Sequence, residues 1–428
     1  MNILIVGSGG REHAFAWKVA QSQQVDRVWV APGNAGTALE NKVENINIDV
    51  LDIDALISFA KDNRVALTII GPEAPLAAGI VDRFQKENLA CFGPTKAAAQ
   101  LETSKAFCKN FMHKENIPTA AFATFTEKQK ALDYLEQQHF PIVIKASGLA
   151  AGKGVIIAEN LEQAKAAVIG MLDEKSFGAA GKEIVIEEFI TGEELSFIVM
   201  VDGKNILPLA SSQDHKRRDN GDLGPNTGGM GAYSPAPIST AELNKKIMQQ
   251  VIEPTVNALA RDGHPFVGFL YAGLMITEDG RISVLEYNCR MGDPETQPIL
   301  FRLESDLVEL CLAALDGKLD QVKTQWDSRT AIAVVMAAGG YPEKYHKGDV
   351  IKGLNTTLTD CKVFHAGTTN KDGDIVTSGG RVLAVTALGD DIQSARNHAY
   401  KAVNQIRWKD CYYRTDIAYR ALRRPVLD

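Results

Sequence analysis

The chain has 428 residues, 45% hydrophobic and 23% charged, the composition of a globular protein of two to four domains. A formal net charge of −7 argues against general nucleic-acid binding, which needs a basic footprint, and no apolar run reaches the length of a bilayer crossing. The six cysteines (91, 108, 289, 311, 361 and 411) form no Cys-x-x-Cys pair, so neither a zinc site nor a disulfide framework is expected, and a reducing cytoplasm fits best.

The first hundred residues alternate short apolar runs (2–6, 27–30, 65–70 and 89–92) with amphipathic helical spacing (12–20 and 53–61). The opening run leads straight into a glycine turn with no basic leader, so no signal peptide is expected. This alternation predicts a parallel, Rossmann-like sheet with helices on both faces, whose ligands sit beyond the carboxyl ends of the strands. The turns at 7–12, 32–36 and 71–75 then share one rim. Gly7-Ser8-Gly9-Gly10-Arg11-Glu12 is a poor dinucleotide fingerprint, because Glu12 stands at the third glycine position and Ala31-Pro32-Gly33 supplies no acid for a ribose. A glycine turn before a helix still suits a phosphate, bound by backbone N–H groups of Gly9 and Gly10 and by Arg11. A phosphate ester fits better than a nicotinamide cofactor; an oxidoreductase remains the rival. Asn34 and Glu73, on the neighbouring turns, are candidates to hydrogen-bond sugar hydroxyls.

From 104 to 325 the texture changes. Runs at 142–146, 155–158, 184–188 and 195–201 predict mainly antiparallel strands, with helices at 162–170 and 243–260 and a hairpin at Asp202-Gly203. Lys145 closes one strand, the glycine-rich stretch Ser147-Gly148-Leu149-Ala150-Ala151-Gly152-Lys153-Gly154 follows, and another strand resumes. With no helix after it, this is not a P-loop, yet its N–H groups and two lysines suit a triphosphate. Glu187-Glu188-Phe189-Ile190 is a connector whose backbone suits adenine, and Glu194 is placed to accept ribose hydroxyls. Residues 211–235 form a polar, glycine-rich segment without periodicity, expected to be a functional loop. Its Asp214-His215-Lys216-Arg217-Arg218 and Asn226-Thr227-Gly228 suit a zwitterion or phosphosugar; His215 is a weak candidate base, since a loop histidine is more often polar surface. On the strand leading to Asn288, Glu286 and Asn288 are two residues apart and point the same way, oxygen donors of the kind Mg²⁺ takes. Beyond 326, strands at 330–337, 362–365 and 382–386 and a helix at 392–407 predict a small α+β cap. The whole is expected to be an α/β and α+β multidomain chain divided into 1–103, 104–325 and 326–428.

Seven segments together resemble the glycinamide ribonucleotide synthetase family of the ATP-grasp superfamily. They are Gly7-Ser8-Gly9-Gly10-Arg11-Glu12-His13, Pro32-Gly33-Asn34-Ala35-Gly36, Gly71-Pro72-Glu73-Ala74-Pro75-Leu76, and the stretches 145–154, 213–216, 224–230 and 290–297. Arg290-Met291-Gly292-Asp293-Pro294-Glu295-Thr296-Gln297 is the most specific; Met291 stands where the family commonly carries Phe. The resemblance implies a parallel-sheet domain, ATP-grasp domains with a mobile subdomain at about 120–190, and a C-terminal cap. It implies that ATP, glycine and 5-phosphoribosylamine give glycinamide ribonucleotide, ADP and phosphate in de novo purine biosynthesis. Another ATP-grasp carboxylate–amine ligase or carboxylase of purine metabolism is the alternative, and a nucleotide-binding regulator without chemistry the more distant one.

The implied roles follow residue by residue. Lys105 and Lys145 contact ATP phosphates, covered by Ser147, Gly148, Lys153 and Gly154; Glu187, Phe189, Ile190 and Glu194 seat the adenosine. Glu286 and Asn288 hold Mg²⁺ or Mn²⁺, with no third acid on the preceding strand. Lys145, Arg290 and Asp293 are the catalytic candidates, the last two toward glycine and the phosphoryl group. Gly9, Gly10, Arg11, Asn34, Gly36, Glu73, Asp214, Lys216, Asn226, Thr227 and Gly228 are the remaining substrate contacts. Only small molecules are expected as partners, with no nucleic acid, membrane or obligate protein partner.

Overall fold

The computed structural model describes residues 1–149, 154–173, 178–354 and 359–424. The opening alternation forms a parallel sheet of β1 (Asn2–Gly7), β2 (Arg27–Pro32), β3 (Val43–Asn45), β4 (Val65–Ile70) and β5 (Cys91–Phe92), in the order β3-β2-β1-β4-β5. Ile3, Leu4, Ile5 and Val6 are buried on both faces of the sheet, which is why β1 reads as an unbroken apolar run. β3 carries no such signal, since Val-Glu-Asn pairs only at the sheet edge. Gly33 N–H donates to Gly7 O at 3.1 Å and Gly71 N–H to Val6 O at 3.0 Å, so the three turns do meet on one rim.

β6 (Phe122–Phe125), β7 (Ile142–Ala146), β8 (Val155–Ala158) and β9 (Ile184–Glu188) form an antiparallel sheet in the order β6-β9-β7-β8. Alternate residues Ile142, Ile144, Ala146, Ile184 and Ile186 pack on helices Lys128–Leu135 and Leu161–Leu172. Lys145 and Glu187, one residue out of phase with that core, take the opposite face.

β10 (Glu193–Asp202) and β11 (Ile206–Pro208) precede the polar segment, which is not one loop. It holds β12 (Gln213–Asp214), β13 (Arg217–Asp219), β14 (Leu223–Asn226) and β15 (Gly231–Ser234). β16 (Val267–Ile276) and β17 (Ile282–Asn288) complete the sheet β11-β10-β16-β17. The remaining strands are β18 (Thr330–Ala337), β19 (Cys361–His365), β20 (Thr368–Lys371), β21 (Asp374–Thr377) and β22 (Arg381–Gly389). The last large sheet runs β12-β15-β18-β22-β19, so the polar segment lends two strands to the C-terminal sheet. Helix Ile392–Val403 covers that sheet through Ala395, Ala399 and Val403.

The helix expected at 243–260 runs as Ala241–Ile247, a π turn at Met248–Ile252, and Glu253–Arg261. Pro254 explains the interruption: it has no N–H for the carbonyl one turn back. Two apolar cores each mix the first and third sheets, one through Leu4 and Leu270, the other through Ile3 and Phe269. That shared packing fixes the glycine rim beside the end of β17. Among the described residues no helix is long and apolar enough to cross a membrane.

Candidate functional site

On the rim, Gly9 N–H donates to Glu12 Oε2 at 2.6 Å, capping the helix Gly10–Ala20. The Glu12 side chain fills the space where Gly71 would carry a Cβ, so that turn needs glycine for close approach. Arg11 is buried, with Nε donating to Glu12 Oε1 (2.6 Å) and Nη1 to Met291 O (3.2 Å). A Cβ on Gly10 would lie 2.5 Å from Gln297 Nε2, and one on Gly9 3.5 Å from Asp293 Oδ2. The glycine turn and the segment after β17 are therefore in contact.

Asn34 is committed to its own surroundings. Its Nδ2 donates to Ser8 O and His365 O, both at 2.9 Å, and its Oδ1 accepts from Gly36 N–H at 2.8 Å and Thr37 N–H at 3.1 Å. Gly36 packs against the His13 and His365 rings. Both residues shape the rim from beneath. Glu73 lies on the rim itself, 3.3 Å from Arg290 Nε; burial pushes its carboxyl up, but Arg290 and Arg11 outweigh that and hold it below the usual range.

Between the second and third sheets lie the lysines. Lys145 Nζ sits 2.9 Å from Glu187 Oε1, donates to Oε2 at 3.0 Å, and donates to Leu285 O at 3.2 Å. Lys109 Nζ reaches the same Oε2 at 2.8 Å and donates to Thr119 Oγ1 at 2.7 Å. Glu187 is 3% exposed, and its carboxylate orients two lysines. Lys105 Nζ lies 3.3 Å from Gly148 O; burial lowers its pKa, partly opposed by Glu286. Ser147 Oγ accepts from Ala106 N–H (3.1 Å), at the start of helix Lys105–Lys114. A Cβ on Gly148 would fall 2.7 Å from Ala180 Cα, so only glycine fits there. Gly154 O accepts from Ala146 N–H, and Lys153 lies outside the described residues. Phe189 and Ile190 line a cleft of about 780 Å³, together with Thr119, Lys246 and the turn between β16 and β17.

The register of β16 with β17 pairs Gly273 with Glu286 and Tyr271 with Asn288, and β10 adds Ser196 opposite Gly273. Glu286 and Asn288 thus share one face. Burial pushes Glu286 up, yet Lys216, Lys145, Lys105 and Arg290 together bring its pKa down to about 2. Asn288 is buried, and among the described residues its side-chain amide makes no hydrogen bond. An ionised carboxylate beside an uncommitted amide oxygen fits a hard divalent cation. No three His, Cys, Asp or Glu side chains among the described residues converge as a metal cage.

Arg290 Nη2 lies 2.8 Å from Glu102 Oε1. Asp293 Oδ2 lies 3.1 Å from Arg381 Nη2, and its Oδ1 accepts from Gln297 Nε2 at 2.8 Å; burial raises the Asp293 pKa but Arg381 and Arg11 lower it further. Arg381 also donates to Gly228 O, tying the polar segment to the segment after β17. Thr227 Oγ1 donates to Lys216 O at 2.8 Å, and Asn226 pairs with Arg217. Lys216 Nζ lies 3.2 Å from Glu194 Oε2 and 3.7 Å from Glu286 Oε1. Glu295 Oε1 accepts from Tyr271 (2.8 Å) and Ser196 (3.1 Å) hydroxyls. Asp214, beside this group, is pushed well above the carboxylate range by burial and by Glu295, Glu194 and Glu286, against the pull of Lys216.

His215 is no surface residue. It is buried, its Nε2 accepts Ala418 N–H at 2.9 Å, and its Nδ1 faces Asp222 at 3.7 Å. With one nitrogen accepting, the proton sits on the other, and the ring anchors the polar segment to the C-terminal residues. Lys109, Glu102, Glu295 and Arg381 were not among the sequence candidates. Glu295 lies inside the 290–297 motif, where its signal was available; the others are isolated charges with no motif around them.

Two antiparallel sheets with lysines between them, a glycine-rich connection and an acid–amide pair are the architecture of the ATP-grasp class. The sequence matches the phosphoribosylglycinamide synthetase N domain over residues 1–102, its ATP-grasp (A) domain over 103–296 and its C domain over 331–420. The chain belongs to the phosphoribosylglycinamide synthetase family. It is 61% identical over 425 residues to the phosphoribosylamine–glycine ligase of Vibrio vulnificus, covering 99% of each chain. The crystal structure of the phosphoribosylamine–glycine ligase of Thermotoga maritima is similar with a TM-score of 0.85 and 33% identity, covering 97% of this chain and all of that one. The biotin carboxylase of Campylobacter jejuni shares the fold at 14% identity, with a TM-score of 0.76 over 99% of this chain and 95% of that one.

Proposed function

We propose that the chain is an ATP-dependent ligase that joins glycine to 5-phosphoribosylamine, giving glycinamide ribonucleotide, ADP and phosphate. A carboxylate resists attack by an amine, because its charge repels the nucleophile and oxide is too poor a leaving group. Transfer of ATP's terminal phosphoryl group to a glycine carboxylate oxygen gives glycyl phosphate. The phosphoribosylamine nitrogen then attacks the acyl carbon, the C–O bond to phosphate breaks, and the amine proton is lost. Such a sequence needs positioning and charge stabilisation rather than a protein nucleophile.

In this reading Lys145, held by Glu187, and Lys105 face the triphosphate, while the connection around Ser147, Gly148, Lys153 and Gly154 covers it and excludes water. Phe189, Ile190 and Glu194 lie toward the nucleoside. Glu286 and Asn288 would hold Mg²⁺ or Mn²⁺, which when bound polarises phosphate oxygens and neutralises their charge. Arg290 and Asp293 take the glycine carboxyl and the transferring group, with Arg11, Gly9, Gly10 and Glu73 toward the phosphosugar. The division at 103/104 and 325/326, a mobile segment at about 120–190 and a cytoplasmic location belong to the same reading.

The observation that carries it is the gathering of Lys105, Lys145 and Lys216 around Glu286, with Arg290 beside them. A coupled assay for ADP release tests it, with phosphoribosylamine generated from ribose 5-phosphate and ammonia. Release is expected only with glycine present. ADP release supported by bicarbonate or formate in place of glycine would refute it.

A further inference from the structure

Four acidic side chains meet where β10, β12 and β17 approach each other, and three of them have partners. Glu286 and Glu194 have Lys216, and Glu295 has the Tyr271 and Ser196 hydroxyls. Asp214 is the exception. It is only 9% exposed, and among the described residues its carboxylate accepts no hydrogen bond and has no cation within ion-pair distance.

Its position is not accidental slack in the chain. The Asp214 backbone is fixed on β12 opposite Ala232 of β15, and its neighbour Gln213 is pinned by Glu194 O at 2.8 Å and by the Tyr233 hydroxyl at 2.9 Å. Strand alternation then turns Asp214 away from Gln213 and toward Lys216, Glu295, Glu194 and Glu286, the groups whose charges act on it most. Lys216 acts on Asp214 as well, but from beyond ion-pair distance, its short contacts being with Glu194 and Glu286. A carboxylate that is buried, held in place and lacking a partner is a receptor for a cation that arrives from outside.

Of the substrates in the ligase reading, glycine alone carries a full positive charge at neutral pH. We propose that the Asp214 carboxylate receives the ammonium group of glycine, making Asp214 the residue that distinguishes an amino acid from other small carboxylates; the proposal rests on the ligase reading above. Glu295, which also acts electrostatically on Arg290 and Arg381, places this receptor beside the groups assigned to the glycine carboxyl. One end of the zwitterion would meet Asp214 and the other the arginine side.

Two measurements test the proposal. The first uses the unaltered chain and two inhibitors, aminomethylphosphonate and hydroxymethylphosphonate, which differ only in the ammonium group. The aminated compound is expected to compete with glycine at least about 30-fold more tightly, the lower end for a buried charge pair that loses one partner. Equal inhibition overturns the proposal and needs no variant. The second compares Asp214→Asn with Asp214→Glu. In the Asn variant the KM for glycine is expected to rise by about 30-fold or more, with the values for ATP and phosphoribosylamine within about twofold and the inhibitor preference lost. The Glu variant is expected to recover part of the glycine affinity. Thermal unfolding of Asp214→Asn is expected at or above the parent temperature, since a buried carboxyl without a partner has been removed; a lower temperature with an unchanged glycine KM marks a structural role and overturns the proposal. A rise confined to phosphoribosylamine, or to ATP and the metal together, also overturns it. If the unaltered chain releases no ADP with glycine and phosphoribosylamine, the ligase reading itself fails; if it does while Asp214→Asn keeps its glycine KM, only the Asp214 assignment fails.

Discussion

Replacing Glu187 with Gln removes one charge and almost no volume, and it isolates what that carboxylate does. Lys145 and Lys109 donate to the same Oε2, at 3.0 and 2.8 Å, so their ammonium groups lie within about 6 Å of each other. At that separation and an effective dielectric constant of about 20, two unscreened positive charges repel by about 3 kcal/mol. All three side chains are less than a tenth exposed, which limits relief by water. Breaking a buried pair by removing one partner costs about 3–5 kcal/mol, in agreement with the Coulomb figure. Glu187→Gln should therefore lower the midpoint of thermal unfolding by about 6–20 °C, at about 2–4 °C per kcal/mol. One lysine should also lose its proton or swing away, with ADP release falling about 100-fold, the scale of a misplaced reacting group. Thermal unfolding with and without ATP, beside steady-state ADP release, measures both effects. A loss under about 1 kcal/mol with near-normal turnover would refute the idea that Glu187 holds the lysines in place.

Three further outcomes follow from the same geometry. Although burial pushes Glu286 up, its cationic neighbours hold its pKa at about 2, so its contribution to stability is complete above the unfolded value near 4.5 and is lost as the pH falls from there toward 2. The unfolding midpoint of the parent minus that of Glu286→Gln should stay constant from about pH 8 to 5.5 and shrink below about 4.5; a difference that grows on acidification would contradict the assignment. Gly148→Ala puts a Cβ 2.7 Å from the Ala180 backbone, so one of the two segments must shift; it should lower the urea unfolding midpoint and lower kcat/KM for ATP about 10–100-fold. Arg381→Ala unpairs Asp293 and frees the carbonyl of Gly228, so kcat should fall about 100-fold with little change in the KM for ATP; a selective ATP effect would place Arg381 elsewhere.

The parallel sheet was legible because buried strands must be apolar throughout, and the turns between them carry glycine and proline. β3 escaped because an edge strand of Val, Glu and Asn buries too little to leave a pattern. The polar segment misled for a related reason. Its strands are two to four residues long, too short for alternation to show, and β12 is polar although buried. Its burial comes from joining a sheet whose other strands lie a hundred residues further along. In the site, the period of two correctly put Glu286 and Asn288 on one face, because a strand's geometry is local. Which charged partner stands opposite is not local. Glu187 meets Lys109 and Lys145, Arg290 meets Glu102, and Asp293 meets Arg381, pairings set by tertiary packing across 42 to 188 positions. Asn34 shows the converse: an exposed-looking turn residue whose amide is consumed by the turn it stabilises.

In the proposed reaction glycine is activated by phosphorylation of its own carboxyl group between the lysines and Glu286. Glycine labelled with ¹⁸O in both carboxyl oxygens tests this most directly, with the released inorganic phosphate read by mass spectrometry. Passage through glycyl phosphate leaves one labelled oxygen in each phosphate and the other in the amide product. Phosphate free of label, alongside normal product formation, would contradict it.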